Sequence, residues 1–336
     1  MGICAVETGL KQISSSGQPF LIIREDKMKK YIIKRLISLA IILFAISLIT
    51  FALLYIAPGD PAEKKLAAQG MAIDPDVLEA TRENMGLNRP FIVQYFSWLG
   101  GIFTGDMGTS YKDNLPVSYK LGEGLKLTIQ LAITSILIAL GISIPLGIFT
   151  AVKKNSVFDT VIQVISFLGN SLPSFLISVL LIFFLCVKLK MFPIIANNSF
   201  QGLFLPAISL AIPMTGSFTR QFRAEILEQL NKPFIIGCQV RGVKKSLIIF
   251  KNVFYNSISP IATLVGMYMG GLMGGSVIIE TMFRWPGIGK LVMDSIEARD
   301  YPVIQGFVLI MATIYVFINL GTDIIYRAID PRIELE

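Results

Sequence analysis

The chain has 336 residues, 53% of them apolar and 16% charged, with a mean hydropathy of +0.66. Soluble domains run near about 45–50% apolar and about 25% charged, so an ordinary soluble protein is excluded and an all-α polytopic membrane protein is predicted. The net charge of +7 belongs to basic residues flanking apolar spans, not to a basic domain with interleaved aromatics, which excludes nucleic acid as a partner.

Residues 1–27 contain only a short apolar run, Phe20 to Ile23, with no cleavage site after it, and Val6 stands where a myristoylation signal has Ser or Thr. They read as a cytoplasmic extension, with Met28 a candidate start. Lys27, Lys29, Lys30, Lys34 and Arg35 precede the apolar window Leu36 to Ala57. This predicts a first span that begins in the cytoplasm. The run Pro58-Gly59-Asp60-Pro61 stops it, and between Asp60 and Glu123 acids outnumber bases, which places that segment outside. Within it a helix is predicted over Pro75 to Met85, with Asp74 as N-cap and Gly86 as C-cap. Phe91, Tyr95, Phe96 and Trp98 suit a membrane interface.

The second span runs from Leu127 to Val152 and ends at Lys153 and Lys154. The third, Phe158 to Val187, is too long for one straight helix and is predicted to kink at Pro173. The fourth, Leu203 to Phe218, is short and leads into Arg220 and Arg223 on the cytoplasmic side. The fifth, Ile258 to Ile279, carries Gly266, Gly270, Gly271, Gly274 and Gly275, which predicts close helix packing. The sixth, Val303 to Tyr326, is followed by Arg327 and Arg332 and puts the C-terminus inside. The expected architecture is six transmembrane helices with both termini cytoplasmic. It divides into the extension 1–27, a first helix with its external segment over 28–124, and a five-helix core over 125–336 with a cytoplasmic loop at 220–257.

Little in these residues supports chemistry. There is no histidine, which removes the usual general base and the commonest transition-metal ligand. Cys4, Cys186 and Cys238 form no CxxC pair, so neither a disulfide framework nor a zinc site is indicated. Trp285-Pro286-Gly287-Ile288-Gly289-Lys290 lacks phosphate-loop spacing and reads as a structural turn. Asp323 is taken as the only ionisable residue deep in a span, and pairing with Arg327 is favoured over a proton site. Met267, Met269, Met273 and Met282 read as adaptable packing beside the glycines, not as a soft-metal site. For Asn170, Ser171 and Ser174 around Pro173, and for Thr215 and Ser217, two readings stay open: they line a passage, or they satisfy backbone groups freed by the kink. A secondary transporter driven by an ion gradient is the rival to a passage powered from elsewhere. Sparse intramembrane charge and the lack of visible inverted repeats weigh against it.

Several segments together resemble one family over Met28 to Glu336. They are Met28-Lys29-Lys30-Tyr31-Ile32-Ile33-Lys34-Arg35, Pro58 to Pro61, Gly86-Leu87-Asn88-Arg89-Pro90 with Gln94 and Tyr95, Gly105-Asp106-Met107-Gly108-Thr109-Ser110, Glu280 to Gly289, Arg299 to Gln305, and Asp330 to Arg332. The chain resembles the permease subunits of ABC importers of the dipeptide, oligopeptide and nickel class. That resemblance implies a type I importer permease core in the plasma membrane of a prokaryote, a second homologous permease, two ATP-binding subunits and an external solute-binding protein. It implies no cofactor in this chain, with ATP and Mg on the ATP-binding subunits. It also implies a coupling helix at Gly237, Cys238, Gln239, Val240, Arg241 and Gly242, with Pro260 further on. Cys238 and Val240 replace the family's two small alanines. The Gly266 to Gly287 run looks most like the nickel branch, with chelated nickel as cargo, and short peptides are the close second.

Overall fold

The computed structural model describes residues 20–68, 74–193, 195 and 200–329, with the backbone alone at 20–32, 68, 200, 255–256, 258–260, 323 and 325–329. Residues 1–19 and 330–336, and the side chains of Pro260, Asp323 and Arg327, lie outside the described residues. In chain order the helices are α1 (Phe20–Ile56), α2 (Pro61–Ala68), α3 (Pro75–Asn84), α4 (Phe91–Thr104), α5 (Val117–Val152), α6 (Val157–Ser171), α7 (Ser174–Leu181), α8 (Phe200–Leu230), α9 (Pro233–Val240), α10 (Lys245–Leu247), α11 (Phe254–Phe283), α12 (Ile288–Ala298) and α13 (Tyr301–Ile329). Wider turns, Ile182–Lys188 and Ile248–Val253, extend α7 and join α10 to α11.

Five described helices are long and apolar enough to cross a bilayer, and the bent pair α6–α7 makes a sixth if it counts as one span. Within that pair the expected kink at Pro173 is a full break, with the two arms 99° apart. Leu172 is extended (ψ 128°), the backbone a residue before proline prefers, so the helix stops and restarts instead of bending.

The first helix starts at Phe20, well before Leu36, so the extension flows into it. The exposed faces of Ile37, Ile41, Ile49 and Leu53 suit lipid. Its inner face holds Phe51, which meets Phe91 and Tyr95 of α4 edge-on at centroid distances of 5.4 Å. The Tyr95 hydroxyl reaches Ser47 Oγ at 2.9 Å. Phe91, Tyr95 and Trp98 therefore form a packed aromatic cluster with α1, and only Phe96 of the predicted set faces out. The Asp74 carboxylate caps α3 by accepting from Asp76 N at 3.0 Å, as its position before Pro75 predicts.

The core lies between α5 and α8, around Leu131, Ala139, Phe218 and Phe222, with α11 and α13 closing over it. The fourth span is longer than expected because α8 continues to Leu230 with Arg220 and Arg223 inside it. Asp159 in the first turn of α6 explains how: it accepts from Arg223 Nε and Nη2, each at 2.7 Å. This bidentate pairing satisfies the charge where the helix would otherwise have to end. Of the α11 glycines, Gly266 and Gly270 lie against Thr322 and Tyr315 of α13. Gly271, Gly274 and Gly275 face open space, so the close packing predicted for the whole stripe holds for one edge of it.

Candidate functional site

At the C-terminal end of α8 the chain turns through Asn231 and Lys232 and starts α9 with Pro233, whose missing N–H costs nothing at a first helical position. This short helix has two faces. Ile235 and Cys238 (3% exposed) point inward against Ala151, Ile226, Ile248 and Val253. Asn252 Nδ2 donates to Cys238 Sγ at 3.8 Å. Phe234 (45% exposed), Ile236 and Val240 (83% exposed) point outward, and Leu247 and Phe250 beyond α9 are exposed as well. Arg241, Lys244 and Lys245 are exposed around this apolar patch.

The end of α9 is fixed by Gly242, at φ +74°, where a side chain is strained. Gly242 N donates to Gln239 O at 2.9 Å and Val243 N to Cys238 O at 3.1 Å. These are the paired bonds of a Schellman ending, and Val243 tucks against the Ile235–Cys238 cluster. The result is a stub of helix, anchored on one side and apolar on the other. An exposed apolar patch rimmed by charge marks a partner surface, and this shape fits a helix-in-groove mode.

The seven residues expected in the coupling element are split by the structure. Gln239, Val240, Arg241 and Gly242 are exposed, Gly237 is half-buried, and Cys238 faces the core. Pro260 lies within α11, just ahead of its apolar stretch Ile261–Phe283. Phe234, Ile236, Leu247 and Phe250 were absent from the sequence-derived set. Their signal was the apolar runs Phe234-Ile235-Ile236 and Leu247-Ile248-Ile249-Phe250 on either side of the basic residues, and the runs alone do not say which members face out.

The candidate passage residues gather at the α6–α7 corner. Asn170 and Ser171 are exposed there, Ser174 opens α7, and Thr215 and Ser217 are half-buried on α8. Gly216 between them lies against Asn170. Ser171 Oγ donates to Phe167 O and Thr215 Oγ1 to Ala211 O, both at 2.8 Å. Their hydroxyls thus hold carbonyls of their own helices.

At the opposite end of the bundle stands a buried carboxylate that the sequence reading missed when it took Asp323 alone as deep and ionisable. Glu280, fully buried in α11, accepts from Thr128 Oγ1 (2.7 Å), Ser276 Oγ (3.0 Å), Gly289 N (2.8 Å) and Lys290 N (3.0 Å). The last two are free N–H groups of the first turn of α12, where a negative charge is favoured. Gly289 approaches Glu280 and Val277 so closely that a Cβ would lie 2.8 Å from the Val277 Cα. Trp285, also buried, donates through Nε1 to Leu127 O at 3.2 Å. The Trp285 to Lys290 segment is therefore structural, a turn through Gly287 that leads into the first turn of α12.

A second buried carboxylate, Asp300, accepts from Ser110 Oγ at 2.5 Å and Tyr111 N at 2.8 Å, tying the loop before α5 to the start of α13. Burial first, and then the negative charge of Asp300, push the Tyr111 phenol up to about 12, so it is neutral at ordinary pH. Among the described residues no group of His, Cys, Asp and Glu is arranged to hold a metal ion.

Comparison with known proteins bears on all of these features. The family model described as "Binding-protein-dependent transport system inner membrane component" matches residues 143–335, and its N-terminal companion matches residues 28–132. The chain is 37% identical over 322 aligned positions to the oligopeptide transport system permease protein AppB of Bacillus subtilis, covering 91% of this chain and 100% of that protein. It is 34% identical over 306 positions to the glutathione transport system permease protein GsiC of Escherichia coli K12, covering 91% and 99%. Among solved structures, a chain of the inward-facing MetNI methionine ABC transporter superposes with a TM-score of 0.52 at 18% identity, over 63% of this chain and 96% of that one. That likeness concerns the fold.

Proposed function

Because this chain belongs to the family of binding-protein-dependent transport system inner membrane components, as a multi-pass permease subunit of an ABC importer and not its ATP-hydrolysing part, we propose that its cargo is a short peptide. Two relatives that align along nearly their whole length are named for glutathione and oligopeptides, and this outweighs the nickel-like look of the Gly266–Gly287 run. Nickel is the second reading.

The single observation that carries the mechanism is α9, anchored through Ile235 and Cys238 and ended at Gly242, with Phe234, Ile236 and Val240 turned outward. In our reading an ATP-binding subunit receives that face in a groove, and the basic rim of Arg241, Lys244 and Lys245 sets the orientation. The assembly contains a second homologous permease, two ATP-binding subunits that hold ATP and Mg, and an external solute-binding protein. Closure of the ATPases displaces α9. Since α9 is packed on the end of α8, α8 moves with it and the polar corner at Asn170, Ser171, Ser174, Thr215 and Ser217 changes its access. In this reading both termini lie on the ATPase side, on the strength of the basic residues Lys27 to Arg35 ahead of the first apolar window and Arg327 and Arg332 at the end of the last.

Reconstitution with all partners tests the reading: ATP-dependent accumulation of a radiolabelled tripeptide, outcompeting nickel, is the expected result. Accumulation of nickel without peptide would transfer the assignment, and accumulation by this chain alone would end the coupling argument.

A further inference from the structure

Several of the segments that carry the family resemblance have no part in coupling, and the fold gathers them at one place. The turn after α1 (Pro58–Pro61), the turn after α3 (Gly86–Pro90), the loop after α4 (Asp106–Tyr111) and the start of α13 wall a single cavity of about 860 Å³. This is within the range of small-ligand sites, about 300–1,000 Å³. The walls are fixed by their own bonds. Asp60 accepts from Arg82 Nε at 2.7 Å and Ala62 N at 2.9 Å, joining α3 to the turn. Gln94 Nε2 donates to Leu87 O at 3.0 Å and Arg89 O at 2.7 Å. Asp300 holds the Ser110–Tyr111 loop.

Of the two arginines that line the cavity, Arg82 is paired with Asp60 and Arg89 is not. Arg89 lines the cavity, is exposed, and has no ion-pair or side-chain hydrogen-bond partner among the described residues. Trp98 contributes to the wall, and its Nε1 is buried without an acceptor. The guanidinium fork of Arg89 matches a carboxylate. The charges lining the cavity balance, with Asp60, Glu63 and Asp106 against Lys65, Arg82 and Arg89. A simple anion would be better served by a surplus of positive charge, whereas a balanced wall suits a dipolar molecule.

We propose that this cavity binds the carboxylate end of a short peptide, with Arg89 holding the carboxylate and the acidic residues of the wall, Glu63 and Asp106, serving the ammonium. The proposal rests on the short-peptide reading above. It adds a site on the permease itself, separate from the polar corner at Asn170.

The test is calorimetric titration of the assembled importer, without its solute-binding protein, with trialanine and with trialanine amide. Trialanine is expected to bind, the amide about tenfold or more weaker, and Arg89→Ala to weaken trialanine by a similar factor, the loss of one charge-assisted contact. Arg89→Lys, which keeps charge without the fork, is expected to fall between. The melting temperature of each complex separates lost binding from lost fold, and Arg89, being exposed, is the variant that retains the fold. No binding up to about 10 mM, well beyond a millimolar affinity, or equal binding of peptide and amide, would overturn the proposal. So would an effect of Arg89→Ala confined to affinity for the solute-binding protein, since the cavity would then be a docking seat. Peptide uptake by the full system combined with no binding here would sink this site and leave the peptide assignment standing.

Discussion

Glu280 shows what a single residue contributes and why it was hard to see. In the sequence it is one acid at the end of a glycine-rich apolar run, and nothing local distinguishes it from an interfacial charge. Its role comes from partners on two other stretches of chain, Thr128 in α5 and Gly289 with Lys290 in α12. Replacing it by Ala leaves backbone donors unpaired in a dry site, a loss of about 2 to 4 kcal/mol. Thermal unfolding in detergent should show this, with Glu280→Gln intermediate. Asp113 makes a pH prediction. Burial alone would raise its carboxyl, but hydrogen bonds from Lys120, Ser110 and the Leu115 amide, together with the Lys120 charge, hold it below its ordinary value. A group depressed on folding stabilises above its unfolded pKa, and that stabilisation is lost as the pH falls through the folded value. The melting temperature is therefore expected to drop below about pH 4, and Lys120→Met, which removes the 2.6 Å contact, should flatten that drop.

At the level of elements, α9 separates what patterning reveals from what it hides. Its position after a basic turn, and Gly242 at its end, were legible because a left-handed ending calls for glycine and charge marks the side of the membrane. Which side chains face out was not legible: Cys238 and Val240 are two residues apart on a helix, and only the packing of Ile226 and Ile248 decides which of them is covered. The structure predicts that Val240→Cys reacts readily with a membrane-impermeant maleimide from the ATPase side, while native Cys238 stays slow. The reverse order would show α9 turned over. Gly242→Val should leave membrane insertion intact and abolish substrate-stimulated ATP hydrolysis in the assembled importer, because a β-branched residue at φ +74° redirects the helix end. Unchanged hydrolysis would remove α9 from the coupling route. For α8 the sequence misled by counting arginines as an end. Asp159 neutralises Arg223 from a helix more than sixty residues away in the chain, and no local rule anticipates such a pair.

For the molecule as a whole, six apolar segments, their order and an irregularity at Pro173 were readable from hydropathy and proline alone, because lipid leaves so few backbone options, whereas the full break there was not. The gathering of four loop motifs around one cavity was not, since each is an ordinary turn by itself and only the fold makes them neighbours. The corner at Leu172–Pro173 has one more implication. Arms of about 22 Å each, from 15 residues at about 1.5 Å per residue, set 99° apart, cannot both stand upright in a bilayer. Both are packed on α8, so they grip it as a carpenter's square grips a post, in two directions at once. Sliding along its axis is thereby blocked while tilting as a unit remains free. A tether between the two arms should be harmless to transport, whereas one from α8 to α5 should freeze it.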